Sequence, residues 1–572
     1  MRLASLRFSH CPDWLFITLL MLFSAAIKLV GISQVSLWID EAYSFLVANG
    51  HPYPEKLSRF PQSVAQVYDA YLAWQPLGWT QLIASLKQNV HLPQYYLLLN
   101  PWLGWVGNDA FGLRSFSTLL STLTLIPFYY LALAIGKRLY TKPDSLKEDV
   151  QKKSRRMAIW GSVLMAFVPM QLYYAQEGRM YALSMFWAVT SAFALWHLTA
   201  YLQTPSTSPA KKTVLSLAYT LTLLGGLSSH YMFVFYLSFH GLYIALAFLL
   251  HRQKRNFWFF LIPVFACVGL AWIWYPVYKI QQAGVWENYH FAKQLMKPMR
   301  YICKFPLMPM ESFANNNIIA RLFYFPLGAA MFWGYLLYRL GYAQKKPETT
   351  TPFWQPEFKF SGAFRLYAEG FILCWLFTPI VTQCAYDLLK ETHTTVITRY
   401  LLLVTPAVPL WGGLVMQSLA EKSAGIYQRL KAPLLAMILL YALASVFKES
   451  PAYMHSNKKN FDTAAAYLAK HLRAGDLLFT NGPLGAPNLM VYYLKKTHPT
   501  LPVIYWVKDY NGKDTPLPDM QALSAYQRVW FFNNRSNERR GLDVARATIQ
   551  EIYPNFHSRI DPEGQLDLYT RH

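Results

Sequence analysis

SLWIDEAYSF, residues 36–45, directly follows the first long apolar segment of the chain, which runs from about Trp14 to Val30. Two adjacent acids, Asp40 and Glu41, lie here beside aromatic residues, close to where a lipid bilayer should end. A carboxylate pair at this place fits three roles: a general base, a metal ligand, or the first turn of a helix, where acids complement the helix dipole. The rest of the chain has to decide between them.

The composition indicates a polytopic membrane protein. Of the 572 residues, 54% are hydrophobic and 15% are charged, which is more apolar surface than a soluble globule needs. The 19 Trp and 39 Tyr suit membrane–water interfaces. A net charge of +23 would suggest nucleic acid in a soluble protein, but membrane proteins collect Lys and Arg in their cytoplasmic loops. We therefore expect a lipid bilayer and no nucleic acid as the partner.

Apolar runs predict a polytopic α-helical fold with about eleven transmembrane helices. The first run approaches the ~20 residues that span a bilayer, so we interpret it as an uncleaved anchor rather than a cleaved signal peptide. The others lie at about residues 113–136, 157–174, 180–202, 213–228, 231–250, 256–278, 318–340, 366–388, 400–420 and 432–448.

Loop charges predict the orientation of these helices. Eight Lys and Arg residues lie between Lys137 and Arg156, whereas the first outer loop, residues 33–111, has only three. Since positive loops stay in the cytoplasm, the N-terminus is expected inside, with Asp40 and Glu41 outside. An odd number of spans also places the C-terminus outside. We expect a multi-pass protein of the plasma (inner) membrane.

Two domains are expected: a transmembrane domain over residues 1–448 and a small extracytoplasmic α/β domain over residues 449–572. In the first outer loop, His91 to Val106 predicts an interfacial helix. In the second domain, helices are expected at Phe461–Leu472 and near Met490 and Val544, and strands at residues 476–480, 501–507, 528–532 and 566–570. No Gly-rich phosphate loop follows a predicted strand of this domain, so we expect no nucleotide site in it.

Other polar groups are predicted on the same outer surface as the acid pair. Glu177 and Arg179 either act in a site or hydrate a tight turn, and His230 is either a ligand or a polar loop residue. Arg399 either extends to the interface or binds a lipid phosphate through its bidentate donors. His91 is either structural or a substrate contact. No Cys or His spacing suits a metal site.

Five stretches carry a family resemblance: Trp38–Ala42 (WIDEA), His91–Leu99 (HLPQYYLLL), Phe111–Ser115 (FGLRS), Tyr174–Tyr181 (YAQEGRMY) and Arg399–Leu402 (RYLL). With them the chain resembles the GT-C membrane glycosyltransferases that use polyprenyl-phosphate sugars. This class includes protein O-mannosyltransferases and the lipid A aminoarabinose transferase. Leu92 stands where the family usually has Pro, and the Arg that follows the acid pair in the aminoarabinose branch is absent.

The resemblance implies inversion at the anomeric carbon of the sugar, with an acceptor hydroxyl attacking and polyprenyl phosphate leaving. Asp40 would act as general base, and Glu41 would orient the acceptor or assist. His91, Glu177, Arg179, His230 and Arg399 would bind substrate, with the two Arg residues stabilising the leaving phosphate. No cofactor is required by this chemistry, although a divalent cation held by acids stays open. The acceptor and the sugar stay open as well.

Two other classes remain at this point. A lipid or sugar transporter or flippase would also have many spans and charged outer residues, although no internal repeat is visible. A non-catalytic assembly or receptor protein would display the outer α/β domain but leaves the acid-bearing first loop unexplained.

Overall fold

The computed structural model describes residues 12–51, 61–87, 91–141, 145–203, 208–251, 254–282, 363–390, 398–421, 461–481, 485–506, 523–533, 547, 549–557 and 566–571. Its first part contains one long helix and a group of short elements. These are α1 (Asp13–Leu29), α2 (Ile39–Ala48), β1 (Gln62–Ser63), α3 (Val64–Tyr71), α4 (Trp79–Lys87) and α5 (Gln94–Val106). We call residues 31–109 the outer region.

Longer helices then form a bundle. They are α6 (Ala110–Leu123), α7 (Leu125–Tyr140), α8 (Lys147–Phe167), α9 (Pro169–Ala175), α10 (Tyr181–Leu202), α11 (Pro209–Ser229), α12 (Phe233–His251), α13 (Leu261–Gln282), α14 (Ala363–Lys390) and α15 (Ala407–Glu421). Two 3₁₀ segments, Lys254–Phe260 and Thr398–Val404, precede α13 and α15.

Nine of the eleven predicted apolar runs coincide with helical segments of the structure. The runs at about 318–340 and 432–448 lie outside the described residues. Within the described part, four segments are long and apolar enough to cross a membrane: Ala110–Tyr140, Tyr181–Leu202, Trp258–Gln281 and Ala368–Lys390. The chain is therefore a helical membrane protein with several candidate spans.

Helices of the bundle approach closely at glycines. A methyl group added at Gly413 of α15 would lie 2.5 Å from the carbonyl oxygen of Met157 in α8. One added at Gly136 of α7 would lie 2.9 Å from the Cα of Ser154 in α8. Small residues permit such backbone contact, which membrane helices use because lipid supplies no hydrophobic driving force between them.

The C-terminal part is an α/β unit. It comprises α16 (Phe461–His471), β2 (Asp476–Asn481), α17 (Gly485–Leu494), β3 (Pro502–Trp506), β4 (Arg528–Asn533), β5 (Asn555–His557) and β6 (Leu566–Thr570). Strands β2, β3, β4 and β6 and helices α16 and α17 lie where the sequence predicts them. Val544 itself lies outside the described residues, and residues 549–552, which follow it closely, are helical. We call this part the C-terminal unit.

One six-stranded sheet joins the C-terminal unit to the outer region. Its order is β1-β3-β2-β4-β6-β5, with β2 parallel to β3 and β4 and the outer pairs antiparallel. Alternate residues of each strand face opposite sides, so Phe479 and Phe531 belong to a separate small core while Trp530 and Phe532 pack toward the helices. The outer region supplies the edge strand β1. In this strand Gln62 pairs with Val503 of β3.

Candidate functional site

Glu41 is fully buried in the first turn of α2. Its Oε2 accepts a hydrogen bond from the Trp38 N–H at 3.3 Å, which caps the helix, and its Oε1 accepts one from the Gly178 N–H at 2.9 Å. Arg114 donates to both oxygens, from Nε at 2.7 Å and from Nη2 at 2.6 Å. Both carboxylate oxygens of Glu41 thus accept hydrogen bonds from protein donors, and the side chain is closed to solvent.

Arg114 is the centre of this buried arrangement. It projects from α6 and also donates to the carbonyl oxygens of Ile32 at 2.8 Å, Val35 at 2.9 Å and Ser36 at 3.1 Å. A guanidinium has five N–H donors in a fixed plane, which suits one carboxylate and several carbonyls at once. Together Arg114 and Glu41 fix the segment between α1 and α2.

Asp40 has different surroundings from its neighbour. Its side chain is 25% exposed, and its Oδ2 lies 3.4 Å from Nη1 of Arg399, whose side chain is 33% exposed. Consecutive residues of a helix project about 100° apart, so burying Glu41 against α6 leaves Asp40 on a different side of α2. The Asp40 carboxylate is therefore accessible and faces a cation.

Arg179 joins Asp40 to His91. It is buried in the turn between α9 and α10, and its Nη1 donates to the Asp40 carbonyl oxygen at 2.8 Å and to Ser44 Oγ at 3.2 Å. Its Nη2 lies 2.6 Å from Nε2 of His91. Because Arg is always a donor, His91 accepts this hydrogen bond through Nε2.

His230 lies near the two Arg residues, in the turn between α11 and α12. Its ring is 5.6 Å from that of Tyr181 and 5.8 Å from that of Tyr400. Burial lowers the pKa of His230 to about 3, and the charges of Arg179 and Arg399 contribute to the decrease. His230 is thus a neutral side chain in a positively charged surrounding.

Glu177 lies in the turn between α9 and α10, two residues before Arg179. Its side chain is buried, and its carbonyl oxygen accepts from the Arg179 N–H at 2.7 Å. Against the effect of burial, Tyr181, Asp40, Tyr400 and Glu177 all raise the pKa of Arg399. Glu177 therefore contributes negative charge to a site that contains two Arg residues.

All seven predicted site residues are brought into one connected region: Asp40, Glu41, His91, Glu177, Arg179, His230 and Arg399. Within the described residues, Nε of Arg179 and Nε of Arg399 are buried with no hydrogen-bond partner. These donors leave capacity for an anion. The described residues contain no group of three or more His, Cys, Asp or Glu suited to a metal ion.

Sequence reasoning assigned no role to Arg114, Ser44, Tyr181 or Tyr400. A signal existed for Arg114, because a charged residue in an apolar helix is costly and is usually paired. It stands inside one of the resemblance motifs, Phe111–Ser115. No local signal marks Ser44, whose contact with Arg179 depends on the fold.

Comparison with known proteins supports a transferase. Residues 93–256 match the family model of the protein O-mannosyl-transferase TMEM260 N-terminal domain. This stretch includes Arg114, Glu177, Arg179 and His230. No curated protein sequence matches the chain. The expected resemblance to membrane glycosyltransferases is confirmed.

Solved structures of low sequence identity are also similar to this chain. ArnT from Cupriavidus metallidurans bound to undecaprenyl phosphate has a TM-score of 0.47 and 11% identity, covering 98% of this chain and 99% of that one. The apo state of the same protein has a TM-score of 0.45 at 11% identity, with coverage of 97% and 98%. The archaeal oligosaccharyltransferase AglB from Archaeoglobus fulgidus, in complex with an inhibitory peptide and a dolichol-phosphate, has 0.38 at 10% identity, with coverage of 91% and 69%.

Proposed function

We propose that this membrane glycosyltransferase transfers a sugar, with inversion, from a polyprenyl-phosphate donor to an acceptor hydroxyl. The observation that carries the proposal is the pair formed by Asp40 and Arg399, an accessible carboxylate 3.4 Å from an Arg that keeps a free donor. One group suits proton removal and the other suits a phosphate.

In the proposed reaction the acceptor oxygen forms a bond to the anomeric carbon of the sugar. The bond from that carbon to the phosphate oxygen breaks, and its electron pair leaves with the polyprenyl phosphate. The acceptor proton passes to a carboxylate oxygen of Asp40. Charge that develops on the departing phosphate is stabilised by Arg399 and Arg179, whose donors are already oriented by the fold.

The remaining residues have supporting roles in this proposal. Arg179 holds the Asp40 backbone and is itself held by His91. His230, which is neutral, contributes a polar surface without adding a positive charge that would pull substrate phosphate away from Arg399. Glu41 positions α2 through Arg114, so we assign it to positioning rather than to contact with the acceptor.

We place this site on the extracytoplasmic side of a plasma (inner) membrane, in a chain of about eleven spans. Eight Lys and Arg residues lie between Lys137, near the end of α7, and Arg156, in the first half of α8, whereas the outer region has few. The C-terminal unit shares a sheet with the outer region, which supports placing both on one side of the membrane. The domain division at about residue 448 belongs to the same proposal.

A transfer assay tests the role of Asp40. Purified protein in lipid vesicles is given a polyprenyl-phosphate sugar and candidate acceptor alcohols, and wild type is compared with Asp40→Asn. General-base catalysis contributes roughly 100- to 10,000-fold, so we expect a loss of that order in kcat with the fold retained. Asp69→Asn, which removes an exposed acid of the outer region, is the matched control and should keep wild-type activity.

Full transfer by folded Asp40→Asn would remove Asp40 as the base. If wild type instead moves the intact lipid across the vesicle without transferring the sugar, the chain acts as a flippase and the proposed reaction is wrong.

A further inference from the structure

Helix α17 of the C-terminal unit reaches the segment that precedes α2. The hydroxyl of Tyr493 accepts a hydrogen bond from the Leu37 N–H at 2.7 Å and lies 3.4 Å from Ser36 Oγ. Burial raises the pKa of Tyr493 to about 12, so the hydroxyl is neutral and has a proton to donate to Ser36 Oγ. Leu37 lies three residues before Asp40.

The same peptide group is held from its other side by Arg114. The Ser36 carbonyl and the Leu37 N–H belong to one planar peptide unit, and Arg114 Nη2 donates to that carbonyl at 3.1 Å. Two opposed hydrogen bonds, one from α6 and one from α17, therefore determine the orientation of this plane. Its orientation sets the direction in which the chain enters α2.

Further contacts hold α17 and α16 in this place. The ring of Tyr492 lies 5.9 Å from that of Phe45 in α2, and its hydroxyl accepts from the Ala110 N–H at 3.1 Å. From α16, the Asp462 N–H donates to Ser36 Oγ at 3.3 Å. At the sheet edge, the pairing of β1 with β3 joins the same two parts of the chain.

We infer that the C-terminal unit positions the reacting groups, and that Tyr493 is its positioning residue. By fixing the peptide between Ser36 and Leu37, Tyr493 holds α2 so that the Asp40 carboxylate faces Arg399. The inference rests on the proposed role of Asp40. Tyr493 itself contacts no reacting atom.

A merely structural contact would also join the two parts of the chain, so the test needs a matched control. Tyr553 is buried in the C-terminal unit, and its hydroxyl donates to the carbonyl oxygens of Leu523 and Tyr526, both within that unit. Tyr493→Phe and Tyr553→Phe each remove one hydroxyl that is hydrogen-bonded to a backbone group. Of the two hydroxyls, only that of Tyr493 contacts the segment before α2.

The experiment measures steady-state transfer, thermal unfolding and amide hydrogen exchange of the full-length protein, with both variants beside wild type and Asp40→Asn. A displacement of about 1 Å costs up to about 100-fold in rate, so we expect kcat of Tyr493→Phe to fall by about 10- to 100-fold. KM for the lipid donor should stay within about twofold, because the phosphate contacts are unchanged.

Amide hydrogen exchange of Leu37 and of the first turn of α2 should accelerate, since the Leu37 amide loses its acceptor. Tyr553→Phe should have the kcat of wild type and the same amide hydrogen exchange as wild type in residues 36–45, whatever its unfolding temperature.

Two results overturn the inference: wild-type kcat in Tyr493→Phe, or equal changes in kcat and in exchange of residues 36–45 for both variants. Failure of the proposed function is distinguishable, because wild type would then transfer no sugar. The exchange measurement would still decide whether Tyr493 holds the entry to α2.

Discussion

At the scale of single residues, the adjacent acids Asp40 and Glu41 have opposite surroundings. Glu41 is inaccessible and bound by Arg114 on both oxygens, whereas Asp40 is partly exposed beside Arg399. A buried charge is tolerated only when it is paired and hydrogen-bonded. Neutralising one member of the Glu41–Arg114 pair therefore leaves the other uncompensated, with a cost to folding rather than to one chemical step.

We predict that Glu41→Gln destabilises the protein by about 3–5 kcal/mol, the usual cost of breaking a buried ion pair. The control is Asp149→Asn, which neutralises the half-exposed pair of Asp149 with Lys153 at 2.7 Å and should cost less than about 1 kcal/mol. Thermal unfolding in detergent measures both. Equal stability of the two variants would mean that the buried pair does not hold the segment before α2.

At the scale of elements, the position of Arg399 depends on the contact between α8 and α15. The 3₁₀ segment that contains Arg399 leads into α15, and α15 lies against α8 with backbone contact at Gly161 and Gly413. A side chain at this contact has no space, because its neighbours are backbone atoms that do not change rotamer. A small change in packing there should be transmitted to the site.

We predict that Gly413→Ala separates α15 from α8 and lowers transfer by shifting Arg399 away from Asp40. Overpacking costs about 1–3 kcal/mol, so the unfolding temperature should fall as well. Gly241→Ala is the control, since a methyl group at this position of α12 meets nothing within 4 Å among the described residues. If Gly413→Ala has the same activity and unfolding temperature as Gly241→Ala, then α8 and α15 have room for a methyl group at their contact, and the prediction is wrong.

At the scale of the whole molecule, two distant parts of the chain form one structure. The outer region contributes β1 to the sheet of the C-terminal unit, and the ammonium of Lys495 in that unit lies 3.2 Å from the ring centroid of Tyr68 in α3. Parts of a chain that share a sheet lie on one side of a membrane. The orientation that we propose for the chain rests on the charge of its loops.

We predict that single cysteines report opposite sides of the membrane in a background without native cysteines. Lys496→Cys, exposed after α17, should react with an impermeant thiol reagent added outside intact cells. Lys152→Cys, exposed in the positive segment of α8, should react only after permeabilisation. Labelling of both from the same side would contradict the proposed topology.

The sequence by itself determined the class of the protein, the positions of most helices and strands, and the place of the acid pair directly after the first apolar segment. These properties depend on local composition and periodicity, which each segment carries independently of the rest. It also named the residues that the fold later brings together, through motifs that stand well apart in the chain.

Only the tertiary structure decided which acid is buried, and which is exposed beside an Arg. That choice depends on Arg114, 73 residues from Glu41, and the entry to α2 depends on Tyr493, 456 residues from Leu37. A charge in an apolar helix such as Arg114 indicates that a partner exists, but no local pattern identifies a partner so far away in the chain. The division of roles between Asp40 and Glu41 therefore arises from packing, as does the attachment of the C-terminal unit.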